Sequence, residues 1–212
     1  MSRYSTFKRY ILPLVRDHIT LDLGCGTGEF LEWFKKGSIG IDVSVSMLEK
    51  CREKNLCVLL ADLNHPLPFK DKSFDRVFCA HTLEHVESPI QLLRECNRVL
   101  RPEGKLVLGL PRESSLLEFF DKYFDDHPYH LYSFSLRNIS HLLKRAGFVV
   151  ERFFFDVPKV FEFLTPIIQY LPSWIAIHFC FSYWVVATKV YDDLQLIEYT
   201  MGNKELERRW FK

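Results

Sequence analysis

The stretch Leu21-Asp22-Leu23-Gly24-Cys25-Gly26-Thr27-Gly28-Glu29-Phe30 decides the fold. Its opening residues suit a short apolar strand. The three alternate glycines read as a turn leading into a helix through Phe30, Leu31 and Phe34 that stops near Gly37. Glycine has no Cβ, so the chain bends sharply there and main-chain N–H groups approach a ligand closely. The dinucleotide fingerprint is G-x-G-x-x-G, whereas the spacing here is G-x-G-x-G with Asp22 two positions ahead. A carboxylate in that place repels a pyrophosphate and suits an ammonium group.

Working outward, apolar residues at helical spacing over 4–17 predict an N-terminal helix across the first strand, with Pro13 inside it. The first strand is expected at 19–23 and a second at 38–42, followed by a helix at 46–54 that Ser44 or Ser46 caps. The apolar run 56–61 suits a buried parallel strand. A polar, proline-containing loop at 64–73 leads to a fourth strand at 74–80, a helix at 89–100, a turn at 101–104 and a fifth strand at 105–110. A long aromatic loop occupies 111–135, a helix ended by Gly147 spans 135–145, and a sixth strand covers 148–155. Alternating strands and helices predict an α/β, doubly wound, seven-stranded, mostly parallel sheet with helices on both faces and an antiparallel last strand. Three successive strand ends carry an acid, at Asp22, Asp42 and Asp62. Open α/β sheets bind ligands at those carboxyl ends.

The run D-L-G-C-G-T-G resembles the first motif of the class I S-adenosylmethionine-dependent methyltransferases, small-molecule branch. Later stretches over 19–150 match in the same order, including F-D-R-V-F-C-A-H-T-L-E-H-V at 74–86 and A-G-F at 146–148. The resemblance implies S-adenosyl-L-methionine as cofactor. Asp22 with Gly24, Cys25, Gly26 and Gly28 would hold its methionine end, helped by carbonyls at Cys79, Ala80 and His81. Asp42 would take both ribose hydroxyls, since a carboxylate accepts two hydrogen bonds side by side. Asp62 and the backbone of Leu63 would read the adenine edge. The plainer alternative for Asp42 and Asp62 is solvated loop acids.

A neutral leaving group makes alignment the main requirement for methyl transfer. A base is needed only where the acceptor arrives protonated, and histidine titrates in the useful range. His130 matches the family position for such a group and His127 is an extra candidate; alternatively one orders the loop and the other faces solvent. His81 and His85, four apart, do not follow the H-E-x-x-H order of zinc helices, so no metal is expected.

The 212 residues, 48% hydrophobic and 26% charged, fit a single domain with an insertion at about 156–180 and a charged tail at 191–212. A net charge of +1 offers no general surface for nucleic acid. The six cysteines are scattered and read as reduced core thiols; with no signal-peptide pattern at the N-terminus, they predict a cytoplasmic location. Residues 163–188 contain no Asp, Glu, Lys or Arg, but Pro166 and Pro172 break the run and 181–189 supplies the last strand. The remaining apolar cap is read as a lid over the acceptor, a homodimer face or a peripheral membrane contact. The expected function is methyl transfer to an oxygen, in preference to nitrogen or carbon, of a small or lipid-linked acceptor. The alternative is a non-catalytic scaffold that binds the cofactor and assembles partners through the cap. The glycine spacing predicts that S-adenosylhomocysteine binds in a calorimetric titration while NADH gives no fluorescence change; the reverse pattern contradicts it.

Overall fold

The computed structural model describes residues 5–112, 130–157 and 163–190. The charged tail at 191–212 lies outside the described residues. Seven strands form one sheet: β1 (Thr20–Leu23), β2 (Ile39–Asp42), β3 (Val58–Leu60), β4 (Phe74–Ala80), β5 (Leu100–Pro111), β6 (Phe148–Asp156) and β7 (Ser182–Lys189). Their spatial order is β3-β2-β1-β4-β5-β7-β6. Pairings from β3 through β5 are parallel, and β7 runs antiparallel between β5 and β6. This is the mostly parallel, doubly wound sheet that the alternation of elements predicts.

Successive strand side chains point to opposite faces, and the chain fills each face differently. Leu21, Leu23, Val77, Cys79, Leu106, Leu108, Tyr183 and Val185 form one face. They pack on α3 (Pro89–Val99), through Leu92, Leu93, Cys96 and Val99, and on α4 (Leu136–Arg145), through Ile139 and Leu143. Ser135 caps α4 by accepting from the Asn138 amide at 3.2 Å, and Gly147, at φ +87°, ends it. On the other face Phe78, Val107, Trp184, Val186 and Phe154 meet Phe7, Ile11 and Val15 of the N-terminal segment. That segment is a π-type turn at Phe7–Ile11 continued by α1 (Leu12–Val15). It packs on β4, β5, β7 and β6, where the aromatic side chains it buries against stand, and its end reaches β1, whose Thr20 hydroxyl donates to the Val15 carbonyl at 3.3 Å. Phe7, Phe30 and Phe78 all pack around Trp184 at centroid separations of 5.5 to 6.0 Å.

Four expectations change. The helix after the glycine turn shrinks to a single 3-10 turn at Leu31–Trp33. So short a helix has little stability of its own, and burying Leu31 and Phe34 against Phe78 and its neighbours decides the local path. The apolar run at 56–61 forms β3 at the sheet edge, with Leu59 and Leu60 exposed (41% and 51%); an apolar run reports strand propensity but not which strand ends the sheet. α2 (Val45–Glu53) has Ser44 at its N-cap position without a capping side-chain bond, and the Ser44 hydroxyl meets that of Ser46 instead. The turn at 101–104 is absorbed into the long β5, with Glu103 at φ +59° and a register shift between Phe74 and Arg76.

β6 and β7 are joined through the apolar segment. Within it α5 (Thr165–Ile168) and α6 (Ser173–Ala176) bury Ile168 and Ala176. Gln169 fastens the segment to β6, accepting from the Phe155 amide at 2.9 Å and donating to its carbonyl at 2.7 Å. Among the described residues no helix is long and apolar enough to cross a membrane. The Trp184 indole fills its face and donates to Asp156 at 2.8 Å. Trp184→Ala should therefore destabilise the fold by about 3–5 kcal/mol, read as a lower urea midpoint; an unchanged midpoint would contradict the packing described.

Candidate functional site

The order of strands reverses between β1 and β4, which leaves a crevice at their carboxyl ends. The glycine bend closes one side of it. Gly24 and Cys25 donate their amides to the Ile41 carbonyl at 2.8 and 3.0 Å, hooking the bend of β1 onto the end of β2. The Gly26 amide continues the hook, donating to Asp42 Oδ2 at 2.9 Å. Gly24 sits at φ +68° with Thr82 packed on it, so a Cβ there would lie 2.3 Å from the Thr82 hydroxyl. Gly28, at φ +78°, lets the loop lie on Leu56, whose side chain comes within 2.4 Å of where a Cβ would stand. The glycines thus allow both the turn and the close approach.

The crevice is a cleft of about 280 Å³ lined by Gly24, Asp42, Val43, Ala61, Asp62, Leu63, Asn64, His81, Thr82, His85 and Val86. Asp42, Asp62, Leu63, Gly24 and His81, all expected at the cofactor, stand together on its wall. Asp42 accepts from Gly26 and, through Oδ1, from the Ser44 amide at 2.8 Å. A carboxylate has about four acceptor positions, so two bonds to backbone leave room for two hydroxyls. Asp62 Oδ1 accepts from the Asn64 amide at 2.9 Å, and its Oδ2 lies 3.3 Å from His65 Nδ1.

Asp22 lies behind this wall, only 2% exposed, and its Oδ2 has no hydrogen-bond partner. Burial, and secondarily the negative Asp42, push its pKa up from 3.8 to about 8. A buried oxygen of this kind beside a glycine bend fits the ammonium of an amino-acid ligand, which would supply the missing donor and countercharge. The other members of the loop point elsewhere. Cys25 packs into the core with Leu48 and Cys51, and burial raises its thiol well above the ordinary range. The Ala80 carbonyl, expected to face an ammonium, accepts from the Thr82 hydroxyl at 3.0 Å, which also reaches the Leu23 carbonyl at 3.2 Å.

His130 is brought to the mouth of the cleft. Its ring meets that of His85, a residue of the cleft wall, edge to face with centroids 4.8 Å apart. The Glu84 carbonyl accepts from the Leu131 and Tyr132 amides at 2.8 and 3.2 Å, and the Tyr132 hydroxyl donates to the Glu87 carbonyl at 2.7 Å. These bonds clamp the segment after position 130 to the turn after β4. His127 lies outside the described residues. Thr82, Asn64 and Val86 line the cleft without having been expected there. Thr82 and Val86 fall within the 74–86 stretch that carries the resemblance, whereas the only sequence signal for Asn64 is its position just beyond a strand end.

Residues 21–108 match the family described as methyltransferase domain. A demethylmenaquinone methyltransferase of Thermotoga maritima is 32% identical over 66% of this chain and 75% of its own length. A malonyl-[acyl-carrier protein] O-methyltransferase of a Marinomonas species is 31% identical over 58% of this chain and 50% of its own. Among solved structures, an S-adenosylmethionine-dependent methyltransferase of Archaeoglobus fulgidus superposes with a TM-score of 0.66 at 25% identity, covering 88% of this chain and 92% of that one. The chain spans 65% of the length of one further relative and 31% of another.

Asp22 gives the site a pH signature. Its folded pKa lies above its unfolded value, so between about pH 4 and 8 the folded protein holds a proton that the unfolded chain releases. Stability without ligand should therefore fall as pH rises through that window, and the fall should be shallower in Asp22→Asn. Thermal melts of both proteins across the window test this; parallel curves would contradict it.

Proposed function

Because the chain belongs to the class I S-adenosylmethionine-dependent methyltransferase family, we propose that it moves the sulfonium methyl group of S-adenosyl-L-methionine onto an oxygen, in preference to nitrogen or carbon, of a small or lipid-linked organic acceptor. The observation that carries this reading is the orphaned, buried Asp22 carboxylate behind a cleft that also displays Asp42 and Asp62. In it Asp22 holds the ammonium, Asp42 the ribose hydroxyls, and Asp62 with Leu63 the adenine edge. Gly24, Gly26, Gly28 and His81 shape the rest of the cofactor pocket. Bound cofactor supplies an electrophilic methyl carbon; the chain supplies alignment and the exclusion of water.

Binding a cation beside Asp22 favours the ionised carboxylate, so a proton leaves Asp22 when the cofactor enters at neutral pH. The acceptor approaches from the side of His130, whose imidazole takes the proton from an alcohol or phenol. The apolar segment joins the carboxyl end of β6 to the start of β7 and so stands at the same edge of the sheet as the cleft. Phe163, Ile167, Tyr170 and Trp174 on it are 60% to 80% exposed, which supports an acceptor with a large apolar part or a peripheral contact with lipid. The O-methyltransferase and demethylmenaquinone methyltransferase among the relatives support the same acceptor classes.

Asp42 also braces the glycine bend, so Asp42→Asn is a cleaner probe than Asp42→Ala. It should weaken S-adenosylhomocysteine binding by about tenfold to a hundredfold, the worth of one or two hydrogen bonds to a charged group. His130→Ala should leave that affinity unchanged and slow transfer of tritiated methyl to a lysate fraction containing the acceptor. Equal cofactor affinity in the Asp42 variant and the wild type would refute the ribose assignment, and unchanged transfer by His130→Ala would refute the role of the imidazole.

A further inference from the structure

Two chain segments far apart in sequence bring three metal-binding side chains together beside the cleft. Glu84 and His85 come from the 3-10 turn Leu83–His85 after β4, and His130 from the segment that leads into α4. One ligand atom from each, a Glu84 carboxylate oxygen and a ring nitrogen of each histidine, lies within 4.8 Å of the other two. We propose that Glu84, His85 and His130 form a binding site for a divalent transition-metal ion of the zinc class, at the acceptor side of the cofactor cleft.

The chemistry of the donors points to that class. Two imidazoles and one carboxylate suit zinc and its first-row neighbours, whereas magnesium and calcium take oxygen ligands. Zinc bonds of about 2.0–2.2 Å place tetrahedral ligands roughly 3.3–3.6 Å apart. The present limit of 4.8 Å is wider than that, so binding requires the side chains to close in, and His85 is exposed and His130 only half-buried. The carboxylate is the fixed point, since Glu84 is only 1% exposed. Its position relative to His130 is set by backbone, because the Glu84 carbonyl holds the amides of Leu131 and Tyr132. His81 Nδ1 stands 3.8 Å from Glu84 Oε1, giving the carboxylate another imidazole on the cleft side. Three protein ligands with one side open to solvent is the pattern of zinc sites that keep a position for water or substrate. His85 also lines the cofactor cleft, so the site adjoins it.

This deepens the functional reading only in what it says of the acceptor. With the ion in place, an acceptor hydroxyl that bound it would become more acidic and give its proton to water, and His130 would serve as a ligand in place of a base. Metal binding itself does not depend on methyl transfer, so the two can fail separately.

The test is titration of metal-stripped wild-type protein with Zn²⁺ by calorimetry and with Co²⁺ by visible absorption, beside His130→Ala and the double variant His85→Ala/His130→Ala. The expected result is one equivalent bound by the wild type, about tenfold or more weaker in the single variant, and lost in the double variant together with the cobalt absorption bands. No stoichiometric binding by the wild type, or equal binding by the double variant, overturns the site. Circular dichroism of every sample reports separately on folding, and S-adenosylhomocysteine titration of the wild type and His130→Ala, which should give one affinity, reports on the cofactor reading.

Discussion

The hook between β1 and β2 is the constraint on which the site rests. Three consecutive amides of the glycine bend are spent on the end of the neighbouring strand: Gly24 and Cys25 on the Ile41 carbonyl, Gly26 on Asp42. This fixes the bend at the point where the sheet changes winding direction, leaving the cleft open beside it. It also carries an electrostatic consequence. Asp22, the penultimate residue of β1 before the bend, is held in the interior near a second carboxylate, and both burial and that neighbour favour its protonated form. A cationic group placed beside it would shift Asp22 back toward the ionised form.

The rest of the sheet makes that arrangement rigid. One face is closed by α3 and α4 over aliphatic side chains, and the other by an aromatic assembly in which Phe7, Phe30 and Phe78 surround Trp184. The Trp184 indole reaches Asp156 at the carboxyl end of β6, tying this plate to the edge where the apolar segment begins. Gln169 adds a second tie there. The cofactor half of the edge is thus built from glycine and carboxylate, and the other half from aromatic and aliphatic groups.

The differences from expectation share a physical origin. Leu59 and Leu60 read as core residues, yet they stand on the edge strand, because strand order is set by crossover connections and not by the strand's own composition. The turn at Leu31–Trp33 replaces a helix because Phe30 and Phe34 are drawn onto Phe78, a residue more than forty positions away. Asp42 proves to be a brace for the bend as well as a wall of the cleft, since its neighbours in space include amides that its neighbours in sequence do not reveal.

Local signals were enough for most of the elements and for bringing Gly24, Asp42, Asp62, Leu63 and His81 to one cleft. Strand and helix periodicity, the alternate glycines, and an acid at three successive strand ends all act over a few residues, and in a parallel sheet they dictate which edge those acids occupy. Burial and encounter were decided by the tertiary structure alone. That Asp22 is sealed from water, that Thr82 lies on Gly24, and that Glu84 and His85 meet His130 depend on backbone bonds between segments more than forty residues apart. No pattern within one segment records such a meeting, because its geometry exists only once the whole sheet has closed around it.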